Sequence, residues 1–366
     1  LVVDEGAAAL LLAGDIYDGD WRDYATGRFF AGQMGVLHDH GVPVYLVSGN
    51  HDAESQITRS LRLPGNVHVL STSRPETVVD DDLGLAVHGQ GFATRDVTTN
   101  LVLAYPPRLP GLVNVGLLHT AVAGAEGHAS YAPCTPEDLA RTEYDYFALG
   151  HVHQQQVVND GARVAAFSGN LQGRHPRETG PKGALVVDVE PDQPAVLRHV
   201  PLDVARWAAV DVDVTGAAGL DDVLDRADRA LRAALADADH RLLVVRVTMT
   251  GTTRAAGALA DREHLTAEVA TLADRLGITL ERVRSDARSP QEATPADPEL
   301  LTAVRRAGRE LTGDPERLRQ QARPLWREFG PALRGLVDLD DPATLTALAE
   351  QAVGELAARL SGEASP

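Results

Sequence analysis

Short apolar runs in the first 200 residues end repeatedly in a turn residue that precedes an acidic, amide or imidazole side chain. Short apolar runs bounded by turn residues are typical of buried strands. A helical pattern at residues 28–40 separates two of them and stops before Gly41 and Pro43. This alternation predicts an α/β domain, a class of fold that places functional side chains at the carboxyl ends of its strands.

Four strand-end segments carry groups suited to metal chemistry. They follow the predicted strands at 9–13, 44–47, 113–118 and 146–149, and they read Gly14-Asp15-Ile16-Tyr17-Asp18, Gly49-Asn50-His51-Asp52, His119 and Gly150-His151-Val152-His153. Taken singly, Asp15 suits a helix cap, Asn50 a turn and His119 a buried core. Together, carboxylate, amide and imidazole groups form a ligand set for divalent transition metals. We therefore predict that these side chains converge on one metal site.

Composition and charge restrict the classes of function. The 366 residues are 44% hydrophobic and 23% charged, which is typical of a soluble globular protein, and no apolar run approaches the length of a membrane span. The single cysteine, Cys134, excludes a disulfide within the chain and indicates the cytoplasm. A formal charge of −18 argues against a surface that is basic throughout, although a local positive site can still bind phosphate.

Changes of pattern predict four regions along the chain. We expect a site-bearing domain at 1–203, a small α/β cap at 204–285, a proline-rich linker at 286–298 and a helical region at 299–366. Within the cap, strands are predicted at 207–214, 242–250 and 278–283, with helices at 221–236 and 263–276.

The order of the four segments resembles the calcineurin-like metallophosphoesterase superfamily over about residues 1–200. This resemblance implies a four-layer α/β/β/α sandwich that holds two divalent metal ions, with manganese as the expected ion. It implies that Asp15 bridges both ions, that His153 binds the first and that the second is bound by Asn50, His119 and His151. His51 then matches the histidine that is not a ligand and that stabilises or protonates the leaving oxygen.

Two further carboxylates in these segments have two interpretations. Two divalent ions about 3.5–4 Å apart activate water and bind the phosphoryl oxygens, and the groups around them must be held in place. Asp18 and Asp52 suit this work, because second-shell carboxylates orient histidines or backbone. Turn and capping chemistry is the alternative for both residues.

The sequence departs from the superfamily pattern before Asp15. The family begins with an Asp-x-His segment at the end of an earlier strand, and His38-Asp39-His40 lies on a predicted helix in the wrong order. We therefore expect an N-terminally truncated chain, in which the sheet lacks its N-terminal strand and the first metal lacks two ligands. An inactive fragment or a scaffold is an alternative function that follows from this expectation.

Two segments favour the nuclease branch of the superfamily. Residues 14–18, followed by a helix that contains Phe29 and Phe30, resemble the SbcD-type DNA exonucleases. Residues 168–183 resemble the YhaO-like DNA-repair exonucleases, and this loop contains a local basic cluster made of Arg174, His175, Arg177 and Lys182. The cluster is predicted to hold DNA phosphates beside the metals, with pairing to nearby acidic residues as the alternative.

The resemblance implies a metal-dependent DNA exonuclease that acts in DNA repair. It implies DNA as substrate and a coiled-coil ATPase of the SbcC type as partner. Related nucleases also pair through helices near these segments, so residues 24–30 are the predicted face of a homodimer. The alternative is a metallophosphoesterase acting on nucleotides or small phosphodiesters, which the acidic charge favours.

Overall fold

The computed structural model describes residues 1–17, 24–54, 61–122, 131–290, 298–314, 316–321 and 341–361. The chain divides into two compact units, Leu1–Arg288 and Ser289–Pro366. The first unit holds all four candidate segments, so it contains the site.

Two β-sheets form the centre of the site-bearing part. A parallel sheet has the strand order β1-β2-β3, and a larger sheet has the order β4-β5-β6-β7-β9-β8. The larger sheet is parallel in its centre and antiparallel at both edges. The strands are β1 (Leu10–Leu12), β2 (Val44–Leu46), β3 (Val67–Val69), β4 (Glu76–Asp80), β5 (Leu85–Gln90), β6 (Val113–His119), β7 (Tyr146–Gly150), β8 (Gln156–Asn159) and β9 (Val164–Phe167).

The two sheets pack face to face and helices cover their outer faces. The core between them is formed by Tyr45, Val47, Leu70, Val87 and Leu117. Helix α1 (Tyr24–Asp39) covers the smaller sheet. A 3-10 helix (Leu101–Ala104) and α3 (Pro136–Ala140) cover the larger one, and the short α2 (Asn50–Glu54) follows β2. The predicted α/β/β/α layering is confirmed.

An antiparallel hairpin completes the site-bearing part. Its strands are β10 (Gly183–Asp188) and β11 (Val196–Pro201). Leu185, Val187 and Leu197 from this hairpin pack with Tyr146 and Val164 of the larger sheet. The hairpin therefore extends the core of the sandwich and carries the chain to the next module.

A three-stranded parallel module follows the hairpin. Its strands lie in the order β12 (Ala205–Asp213), β13 (Leu242–Thr250) and β14 (Thr279–Ser285). Three helices connect them, α4 (Leu220–Asp237), α5 (Ala256–Leu259) and α6 (Arg262–Arg275). The strand pairing extends through a bridge between Thr252 and Arg288, into the segment predicted as a linker. The sheet therefore ends later than the sequence pattern indicates.

A buried ionic cluster lies where the hairpin meets this module. Asp203 and Arg206 are both buried, and the guanidinium donates to both carboxylate oxygens, at 2.9 and 3.0 Å. Arg206 also donates to the carbonyl oxygen of Asp237 at the end of α4. Arg241 adds a second guanidinium 3.0 Å from Asp203 and donates to the carbonyl of Pro201. These bonds tie the start of β12 to both α4 and the hairpin.

The second unit is helical in the residues that are described. It contains α7 (Pro298–Thr312), a helical stretch at 316–321 and α8 (Pro342–Ser361). The side chain of Val353 on α8 lies against Gly308 on α7. Across the described parts of the chain, none of the helices combines the length and the apolar character needed to cross a bilayer.

Candidate metal centre

Three of the predicted ligands converge at the ends of the central strands. Asp15 follows β1, His119 is the last residue of β6 and His151 follows β7. One potential ligand atom from each lies within 4.8 Å of the others. Asn50, the first residue of α2, joins them, because its Oδ1 lies 3.0 Å from Nε2 of His119. The structure thus brings together four of the five predicted metal ligands.

The hydrogen bonds of His119 fit these residues to a cation. Nδ1 of this buried ring donates to the carbonyl oxygen of Ala13 at 2.9 Å, so Nε2 of the neutral ring carries a lone pair. That nitrogen faces Oδ1 of Asn50 at 3.0 Å and Oδ2 of Asp15 at 3.4 Å. Either a proton on Nε2 or a divalent ion satisfies this arrangement. The donor types suit the ion.

Two site residues have strained backbones. Asp15 and His151 have φ values of 53° and 105°, in a region that side-chain-bearing residues rarely adopt. Such conformations cost about 1–3 kcal/mol each and concentrate at functional sites. The positive φ values at Asp15 and His151 therefore agree with a functional role for these two residues.

Glycines permit the close approach of the strand ends. A Cβ atom at Gly150 would overlap the carbonyl oxygen of Ala13, and one at Gly49 would overlap Oδ1 of Asp15. The backbone therefore fits at these two positions only without a side chain. This is the physical reason for the glycines that precede Asn50 and His151.

We expect Gly150→Ala to destabilise the protein by about 1–3 kcal/mol, because β7 must move away from Ala13. Gly65→Ala is the matched control, since a Cβ there meets nothing within 4 Å, and it should change stability by less than about 0.5 kcal/mol. Urea unfolding of both variants measures the difference. Equal stabilities would contradict the close packing at Gly150.

His51 and Asp52 flank the cluster through backbone contacts. The N–H of His51 donates to Oδ1 of Asp15 at 3.0 Å, which keeps this half-buried histidine beside the predicted ligands. Asp52 is buried and accepts from the N–H groups of Tyr17 and Gly49. Burial raises the pKa of the Asp52 carboxyl, while those two bonds act in the opposite direction. Asp52 thus links the segment that carries Asp15 to the segment that carries Asn50, and its orienting role stays a prediction.

Asp18, the other carboxylate with two interpretations, lies outside the described residues. Its orienting role therefore stays a prediction.

His153 is held apart from the other predicted ligands. Among the described residues, the metal-ligand group contains Asp15, His119 and His151, and His153 is outside it. Nδ1 of His153 instead lies 2.7 Å from Oε1 of Glu178, a buried carboxylate. The sequence analysis gave Glu178 no role. The one feature of the sequence that could have singled it out is its position as an acidic residue within a basic loop.

The basic loop divides into an exposed part and a buried part. Arg174, His175 and Arg177 are exposed, and His175 lies 3.7 Å from Glu178. Lys182 is buried, and its ammonium group donates to the carbonyl oxygen of His153 at 3.2 Å. Burial lowers the pKa of Lys182. Lys182 thus supports the loop from inside, and its predicted contact with phosphate stays a prediction.

Comparison with known families matches two parts of the chain. Residues 1–155 match the calcineurin-like phosphoesterase family, and residues 207–288 match the middle domain of the metallophosphoesterase YhaO. The first match covers Asp15, Asn50, His119, His151 and His153. The second covers the parallel module from the third residue of β12 onward.

Two curated relatives from Bacillus subtilis (strain 168) are similar over part of their length. The uncharacterized metallophosphoesterase YhaO is 33% identical over 218 residues, which are 59% of this chain and 53% of that protein. The SbcD subunit of the nuclease SbcCD is 23% identical over 258 residues, which are 58% of this chain and 64% of that protein. The chain thus spans between one half and two thirds of each relative.

Proposed function

Because the chain joins a calcineurin-like phosphoesterase domain to a YhaO middle domain, and so belongs to the SbcD/YhaO-like metallophosphoesterases, we propose that it is a DNA exonuclease acting in DNA repair. The observation that carries the proposal is the convergence of Asp15, His119 and His151 beside Asn50. This donor set suits divalent ions, and divalent ions are suited to the hydrolysis of phosphodiesters.

We propose that the centre holds two divalent ions, with manganese as the physiological metal. Asp15 would contact both, His153 would contact one, and the other would be bound by Asn50, His119 and His151. When bound, such ions polarise the phosphoryl group and activate water. Asn50 contributes an oxygen without negative charge, which keeps the site attractive to an anionic substrate.

His51 is the proposed proton donor to the leaving oxygen. The bond from its backbone N–H to Asp15 supports this role, and the residue is half-buried, so it remains partly accessible. An imidazole changes protonation state near neutral pH, so it is suited to transfer a proton to an alkoxide that leaves.

A polymeric substrate is supported by the exposed part of the basic loop. Arg174, His175 and Arg177 lie on the surface of a chain whose formal charge is −18. The loop is joined to His153, a proposed ligand, because Glu178 bonds both to His153 and to the backbone of Arg174. Phosphate contacts from such a loop position a nucleic-acid backbone without reading its sequence. The relative from SbcCD is by name part of a nuclease, which points to the same substrate class.

Partners are proposed on two observations. The SbcD relative is by name one component of a larger nuclease, and we propose that this chain likewise binds a second protein, of the SbcC ATPase type. Tyr24 and Phe29 on α1 are 60% and 68% exposed, which supports residues 24–30 as a homodimer face.

The single, buried Cys134 supports a cytoplasmic location.

The test compares three substrates in the presence of Mn²⁺. These are end-labelled linear DNA, covalently closed circular DNA and bis(4-nitrophenyl) phosphate, which is a small diester. We expect degradation of linear DNA from its ends and no cleavage of the closed circle. Hydrolysis of the small diester alone would replace the nuclease proposal with that of a small-molecule phosphodiesterase.

We expect His51→Gln to lower the rate of DNA hydrolysis by about 100-fold or more, because glutamine cannot protonate the leaving oxygen. Mn²⁺ affinity should be unchanged, since His51 is not a proposed ligand. Single-turnover rates and calorimetric titration with Mn²⁺ measure the two quantities. A variant that loses its metal would instead identify His51 as a ligand, and a variant with full activity would exclude it as the proton donor.

A further inference from the structure

Glu178 is a buried carboxylate that the proposed reaction does not use. Only 6% of its surface is exposed, yet it lies in a loop with three exposed basic side chains. Burial of a carboxylate costs free energy unless hydrogen bonds or charges compensate for it. Its partners therefore indicate what it does.

The two oxygens of Glu178 have different partners. Oε1 lies 2.7 Å from Nδ1 of His153, and Oε2 accepts from the N–H of Arg174 at 2.7 Å. A carboxylate oxygen accepts hydrogen bonds, so Nδ1 of His153 is the donor in the contact with Oε1.

The same loop also fixes the backbone of His153. Its carbonyl oxygen accepts from the N–H of Asn170 and from the buried ammonium group of Lys182, both at 3.2 Å. Ring and backbone are thus held from one side by residues 170–182. The side chain of His153 is 42% exposed, so these contacts restrain a group that is partly open to solvent.

The loop is anchored in turn on the start of the parallel module. Oε1 of Gln172 accepts from the N–H groups of Val204 and Ala205, and its Nε2 donates to the carbonyl of Ala205. Nε1 of Trp207 donates to the carbonyl of Gly173, and the N–H of Gly180 donates to the carbonyl of Trp207. The start of β12 therefore clamps both ends of the segment that contains Glu178.

We infer that Glu178 is a positioning residue that orients His153 for metal binding. The same carboxylate links the basic loop to His153. The inference rests on the proposed function, because it takes His153 to be a ligand. With Nδ1 bonded to Glu178, the lone pair of the neutral ring is on Nε2. The bond to the backbone of Arg174 holds the loop at the same carboxylate. The position of His153 relative to the basic side chains of the loop is therefore kept constant.

The experiment uses Glu178→Ala and Glu178→Gln, with Glu190→Gln as the matched control at an exposed glutamate. Long-range proton–nitrogen spectra of the metal-free protein report which ring nitrogen of His153 carries the proton. Calorimetry then measures Mn²⁺ affinity, and thermal unfolding shows whether each variant is folded. Glu178→Gln preserves the volume and keeps one acceptor, so it remains informative if the alanine variant does not fold.

We expect Glu178→Ala to release the proton from Nδ1 and to weaken Mn²⁺ binding by about 10–100-fold. Glu178→Gln should restore part of that affinity, and Glu190→Gln should match the wild type. An unchanged His153 tautomer in Glu178→Ala, in a protein that binds Mn²⁺, would overturn the positioning role and leave the proposed function standing. Wild-type protein that binds no Mn²⁺ would overturn the proposed function, whatever the tautomer of His153.

Discussion

Replacing Asp15 with asparagine is expected to abolish Mn²⁺ binding at the centre and to lower DNA hydrolysis by more than about 10³-fold. The carboxylate is the one negative charge among the convergent ligand atoms, and its Oδ2 lies 3.4 Å from Nε2 of His119. Metal ions contribute several kcal/mol of charge stabilisation in the transition state, and each 1.36 kcal/mol corresponds to about tenfold in rate. Asparagine has nearly the same shape and tolerates the positive φ of this position.

The stability of the Asp15→Asn protein separates this loss from unfolding. Asparagine keeps an oxygen that accepts from the N–H of His51, so the metal-free variant should stay close to the wild type in urea stability. Activity is therefore expected to fall while stability is nearly unchanged. Activity within tenfold of the wild type would exclude Asp15 as a metal ligand.

Replacing Arg206 with methionine is expected to destabilise the first unit by about 3 kcal/mol. Methionine fills similar space but leaves the buried carboxylate of Asp203 without the guanidinium that donates to both of its oxygens. Removal of one member of a buried pair typically costs about 3–5 kcal/mol. We expect the lower end of this range, because Arg241 still lies 3.0 Å from Asp203.

Arg232→Met is the control, since Arg232 pairs with Asp228 on the surface of α4 with 62% of its side chain exposed. Such pairs contribute about 0.3–0.5 kcal/mol, so the two variants should differ several-fold in urea unfolding. Equal costs would show that the cluster at Asp203 does not stabilise the junction.

The same pair predicts how stability depends on pH. Burial opposes ionisation of Asp203, but hydrogen bonds and charge from Arg206 and Arg241 outweigh it and lower its pKa. The folded state therefore binds this proton less readily than the unfolded state. Its contribution is complete above the ordinary carboxyl pKa and is lost as the pH falls through the lower folded value. In Arg206→Met, unfolding curves should show a weaker loss of stability below about pH 4.

The parallel module was predictable because apolar period and local structure agree there. Residues 242–250 were predicted as a strand and form β13, while the helices predicted at 221–236 and 263–276 match α4 and α6 closely. Strand β5 was not predicted, because it contains His88 and Gln90, which are polar yet buried. His88 is stabilised by Asn114 and Thr77, partners that are distant in sequence and so give no local signal.

The candidate site was likewise predictable where its features are local in sequence. Its ligand types and the glycines before them are local features, so Asp15, Asn50, His119 and His151 could be named from the sequence. The partner of His153 could not, since Glu178 is 25 residues away and is surrounded by basic residues. The position of Lys182 was also beyond reach, because burial of a lone lysine depends on the fold around it.

The bond between His119 and Ala13 has a consequence for how the protein folds. It joins residues that are 106 positions apart, and the cluster around it also needs the end of β7. Contacts of such long range form after the entropy of closing the intervening loops has been overcome, so they arise late. A metal that binds there acts mainly on the completed structure, so it slows unfolding while leaving the rate of folding nearly unchanged. During synthesis, more than a hundred further residues must therefore be made after Asp15, the proposed metal ligand, before the cluster can form.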